Sequence, residues 1–106
     1  MNEKEQYLFD LNGYIVIPDA LTKQQLEALN SEVDKRIETE CGSDMRTHRF
    51  ASLLDWNSDY RNLIDNKSVT PYLETLLGKG FMLDHEYLDV IRSGKGPIGT
   101  RLHGGA

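Results

Sequence analysis

The stretch from Leu21 to Gly42, LTKQQLEALNSEVDKRIETECG, constrains the fold of this chain more than any other part of it. Thr22 and Gln25 stand at capping-box spacing, so each can satisfy a backbone amide left without a partner by the first helical turn. Leu21 before the cap and Leu26 after it are spaced for a hydrophobic staple. Leu26, Leu29, Val33 and Ile37 then recur at helical intervals and make one apolar stripe. Glu32 and Arg36, four residues apart, add an ion pair on a more exposed face. Gly42 marks the stop. The spacing predicts a helix over 23–38. Such a helix draws most of its stability from whatever covers its stripe, so the rest of the chain must supply a cover.

The flanking sequence offers short elements of both kinds. Residues 3–11 read as a helix with Tyr7, Leu8 and Leu11 on one side, ended by Asn12-Gly13. The run YIVIP, 14–18, reads as a short buried strand closed by Pro18. CGSDMRTHRFASLLDW is a polar loop passing into an apolar anchor of Phe50, Leu53, Leu54 and Trp56. Ser58 is placed to cap a short helix carrying Tyr60, Leu63 and Ile64 and ending near Asn66. In TPYLETLLG, Thr70 is the expected N-cap, Pro71 the first helical residue and Gly78 the C-terminal cap.

FMLDHEYLDVIR, 81–92, reads as the longest strand. One face carries Phe81, Leu83, His85, Tyr87, Asp89 and Ile91; the other carries Met82, Asp84, Glu86, Leu88, Val90 and Arg92. Each face changes character midway, as in a strand that leaves a core and enters a polar cleft. SGKGPIG is then a turn, and TRLHGG begins the return strand. The expected class is α+β in a single partial domain, with a helical layer over about 1–78 and the start of a β-core over about 81–106.

Composition removes several functional classes. A net charge of −5, from 17 acidic and 12 basic residues, argues against sequence-independent nucleic-acid binding, and the basic residues form no stripe. The start MNEKEQYLFD lacks the apolar region of a secretory signal, and no apolar run is long enough to span a bilayer. The expectation is a cytoplasmic protein with no nucleic-acid or membrane partner. The single cysteine, Cys41, excludes an intramolecular disulfide, and nothing around it specifies a catalytic base.

GKGPIG, 94–99, is a literal G-x-G-x-x-G, but its context is wrong for a phosphate cradle. A dinucleotide fingerprint needs a helix directly after the loop and an acidic residue about 20 positions on. Pro97 interrupts this loop, and only seven residues follow it. It reads as a hairpin connection. Of the three histidines, His48 lies in a polar loop between arginines, where a solvated side chain is expected. His85 and Asp89 share a face but stand about 13 Å apart along a strand, too far to chelate one ion together; a partly buried, hydrogen-bonded histidine is expected. Folding the chain about Gly96 would bring Asp89 roughly opposite His103. A carboxylate beside an imidazole is half of a metal site and equally a common structural pair.

Three blocks, NGYIVIPDALTKQQLEALNSEV, LIDNKSVTPYLETLLGKGFMLDHEYLDVI and GKGPIGTRLHGG, taken in order, resemble the N-terminal part of the phytanoyl-CoA dioxygenase family. The resemblance covers nearly the whole chain and implies a double-stranded β-helix, or jelly roll, using non-haem Fe(II), 2-oxoglutarate and O₂. It implies an iron held by two histidines and one carboxylate, with positions left open for the oxoacid and oxygen. His103 is the one candidate for the histidine of the family's H-x-D motif, and Asp89 is a further candidate ligand. The motif's carboxylate position falls on Gly105, and Arg101, which precedes the site, is not simply equated with the family's distal arginine. The expectation is therefore an N-terminal fragment whose barrel is incomplete. Its intact parent would bind Fe(II) and 2-oxoglutarate and hydroxylate a small-molecule substrate. The alternatives are a degenerate family member or a non-catalytic interaction module whose exposed strand edge recruits a partner or self-associates.

Overall fold

The structure is a computed structural model, and it describes residues 1–94. In chain order these form α1 (Glu3–Asn12), α2 (Lys23–Glu40), β1 (Thr47–Ala51), a single 3-10 turn at Leu53–Asp55, α3 (Ser58–Arg61), α4 (Thr70–Leu77) and β2 (Tyr87–Ile91). The two strands make one antiparallel sheet. The fold is mixed helix and sheet, in the α+β class that the sequence predicts.

α2 begins as its capping box dictates. The Gln25 amide donates to Thr22 Oγ1 at 3.2 Å, and the Thr22 amide donates to Gln25 Oε1 at 2.8 Å. Leu29, Val33 and Ile37 are half-buried along the stripe, whereas Leu26 stays 44% exposed. The helix stops at Cys41, one residue before the predicted glycine, with Cys41 in extended backbone. α1 has its own capping box, between Asn2 and Glu5, and ends as expected at Gly13 in the left-handed region (φ 78°). The Tyr72 hydroxyl donates to Glu5 Oε1 at 2.9 Å and so ties α4 to α1.

Several elements differ from expectation. YIVIP forms no strand: it runs without a sheet neighbour, and Tyr14 and Val16 are 66% and 73% exposed. The segment from Thr47 to Ala51, expected as loop, is β1. α3 is capped by Asn57, whose Oδ1 accepts from the amides of Asp59 and Tyr60, rather than by Ser58. α3 also ends at Arg61, leaving Leu63 and Ile64 in turns. Thr70 lies inside α4, not at its cap; its hydroxyl donates back to the Asn66 carbonyl at 3.0 Å. β2 covers only Tyr87–Ile91 of the expected 81–92 strand, because its neighbour β1 offers only five residues to pair with.

The core is small and mostly aromatic. Among the described residues only Cys41, Phe50 and Tyr60 are buried apolar side chains. His48 packs edge-on to Phe50 (4.4 Å between ring centroids), Phe50 to Trp56 (5.4 Å) and Trp56 to Tyr60 (4.9 Å), the geometry that aromatic quadrupoles favour. Arg36 of α2 lies over the Trp56 ring at 4.3 Å, and the Tyr60 hydroxyl donates to the Leu29 carbonyl at 2.8 Å. This ladder of rings joins the sheet to α2. His48, expected in solvent, is instead half-buried as its first rung.

Candidate functional site

Strand register places the polar chemistry of the molecule on one face of the β1–β2 pair. Thr47 faces Ile91, Arg49 faces Asp89 and Ala51 faces Tyr87 across the sheet. The Arg92 amide donates to the Arg46 carbonyl at 2.9 Å, so by antiparallel alternation the Arg49–Asp89 pair is a non-hydrogen-bonded one, whose side chains come closest. Side chains of odd number therefore share the outer face. His48, Phe50, Leu88 and Val90 share the face turned toward the aromatic ladder.

On the outer face Arg49 grips Asp89 through two parallel bonds, Nε to Oδ1 and Nη2 to Oδ2, each 2.7 Å. The same guanidinium lies 4.1 Å from the Tyr87 ring centroid. The His85 ring stacks on Tyr87 at 5.6 Å and nearly parallel, and His85 Nδ1 bonds Asp84. Bidentate contact with Arg49 holds the Asp89 carboxyl below the usual carboxylate range and pushes the guanidinium up. His85 is hydrogen-bonded as expected, but its side chain is 67% exposed rather than partly buried.

Beyond β2 the chain is anchored by Arg92. Its guanidinium donates to the carbonyls of Gly42, Met45 and Cys41, the loop that follows α2. A cation on the carbonyls of a helix's C-cap and exit loop lies at the negative end of the helix dipole and ties that loop to the sheet. An apolar groove lies between the turns after α3, α4 and the segment leading into β2. Leu63, Ile64, Leu73, Leu77, Phe81 and Met82 line a cavity of about 270 Å³, and Leu63, Ile64 and Leu83 continue into a second of about 160 Å³ beside Leu54.

The residues singled out from sequence are not brought together by the described structure. Asp89 lies in the clasp with Arg49; His103 and Gly105, with the return strand expected at TRLHGG, lie outside the described residues. The same is true of the GKGPIG loop after Gly94. Among the described residues no group of three or more His, Cys, Asp or Glu side chains is placed to hold a metal ion. Cys41 is buried, and its carbonyl serves Arg92. No described helix is long and apolar enough to cross a membrane. Sequence reasoning missed Arg49 and Arg92. Period-2 alternation in THRFA was the available signal for Arg49, but a single phenylalanine carried it.

No family model matches the chain, and neither the curated proteins nor the solved structures contain a match to it.

Proposed function

We propose that this chain is the helical layer and first sheet strands of a phytanoyl-CoA-dioxygenase-like oxygenase. Intact, such an enzyme would hydroxylate a small organic substrate while splitting 2-oxoglutarate to succinate and CO₂. The observation that carries this reading is an arrangement. A capped helix, α2, is joined through the aromatic ladder to an antiparallel pair whose strand β2 has no partner on its outer edge among the described residues. The capped helix, the helix ending in Leu77 and the strand β2 follow one another in the order of the resemblance, without its early strand. The apolar groove beside α4 supports it, since a facing layer of a jelly roll is a natural cover for such a surface.

The described residues do not fit the iron. Both oxygens of Asp89 bond a guanidinium, and among the described residues no group of three or more His, Cys, Asp or Glu side chains includes it. No catalytic step is therefore assigned to residues 1–94. Their role in this reading is to build the wall on which a metal-bearing barrel is laid. The second reading, a stand-alone interaction module, is favoured by the open edge of β2, which can accept a partner strand.

Reading the gene past Ala106 and assaying the extended product separates the two. The oxygenase reading expects further histidine and arginine positions and succinate formation that needs both Fe(II) and 2-oxoglutarate. A stop at Ala106, or an extended product that makes no succinate, would leave the interaction module as the better account.

A further inference from the structure

We propose that Asp89 is a positioning residue of the β1–β2 pair and not a carboxylate ligand of any metal centre this protein helps to build. The proposal deepens the oxygenase reading, but its first arm stands without it. A carboxylate ligand must turn a lone pair toward the metal, on which the imidazoles that share it also converge. Asp89 instead offers both oxygens to Arg49, in the fork-to-fork geometry that makes guanidinium–carboxylate pairs the most directional of ion pairs.

Three further contacts favour the clasp. Arg49 and Asp89 are direct cross-strand partners at the middle of a five-residue ladder, where a pair of opposite charges fixes register. The Tyr87 ring lies under the guanidinium and holds its plane. The His85 ring is stacked on Tyr87, and its Nδ1 is engaged by Asp84 rather than by Asp89. A metal taking Asp89 would have to break the fork or use the lone pairs it leaves, in either case with the Arg49 charge beside it. The pair also opposes a slip by two residues, which would keep every side chain on its face, because the outer face otherwise carries only Thr47, Ala51, Tyr87 and Ile91. A slip by one residue would exchange that face for the one bearing Phe50, Leu88 and Val90.

Amide exchange and metal titration on the full 106-residue chain test the proposal. Asp89→Asn and Arg49→Met should each speed exchange at Phe50 and Leu88 about threefold, and the double variant should match the singles, because either change removes the same interaction. Mn(II), added as a paramagnetic probe, should broaden no amide of 87–91 selectively in the unmodified chain. Unchanged exchange in Asp89→Asn would overturn the clasp. Selective broadening at 87–91 that Asp89→Asn abolishes would make Asp89 a metal ligand and overturn the proposal, whatever becomes of the oxygenase reading. Should Asp89→Asn fail to fold, Arg49→Met carries both arms: it leaves Asp89 intact, and Mn(II) broadening that appears only there confirms that Arg49 is what occupies the carboxylate.

Discussion

Tyr60 shows how much of this fold rests on single side chains. It is one of three buried apolar residues among those described, it closes the aromatic ladder against Trp56, and its hydroxyl reaches across to the Leu29 carbonyl. Burial and the neighbouring Glu32 push its hydroxyl pKa up, so it stays a donor through neutral pH. Tyr60→Phe should cost about 1 kcal/mol, the net worth of one hydrogen bond, and Tyr60→Ala about 3–5 kcal/mol through the cavity it opens. Urea unfolding followed by tryptophan fluorescence measures both, since Trp56 sits against the ring. Asp89 gives the pH dependence. Its folded-state pKa is depressed by Arg49, so its contribution is present at neutral pH and is lost as pH falls through the folded value, below the ordinary aspartate range. Acid titration followed at the Phe50 and Leu88 amides should show the strands loosening there, and the response should vanish in Asp89→Asn.

Among the elements, the helices were the more legible. α2 was readable because a capping box, a stripe and a terminator agree within one stretch, and each acts locally. Thr22→Ala should therefore cost about 1 kcal/mol of stability, read by thermal unfolding, while Thr22→Ser should be nearly neutral. Tyr72→Phe should free α1 from α4 and speed exchange across α1 while leaving α2 unchanged. The strands were harder. β1 carries a single large apolar residue, Phe50, so its alternation was hidden among polar neighbours. YIVIP had the composition of a strand but found no neighbour to pair with, and composition alone does not make a ladder. Its partners also explain why β2 is short, for strand length is set by pairing and not by the apolar run. The Arg49–Asp89 clasp was illegible for the same reason: it depends on the register between residues 40 apart.

At the scale of the molecule, the balance of buried and exposed apolar surface dominates. Leu77 is 67% exposed, Met82 89% and Leu83 49%, all beside the groove under α4. A contiguous apolar surface of this kind marks an interaction or ligand surface, and the proposed reading gives it a further layer of sheet as its cover. The outer edge of β2 points the same way. By the alternation of the ladder, Leu88 and Val90 donate toward β1, while the amides of Tyr87, Asp89 and Ile91 face outward with no partner among the described residues. An edge without lysine, proline or bulge is also a template for pairing with other chains, so self-association should rise with concentration and be measurable by sedimentation. The central claim, that these residues form a layer awaiting its cover, is tested most directly by hydrogen exchange on a demonstrated monomer at low concentration. The account predicts slow exchange at Leu88 and Val90 beside fast exchange at Tyr87, Asp89 and Ile91. Slow exchange at all five would mean that the 106-residue chain covers its own sheet edge, and would contradict it.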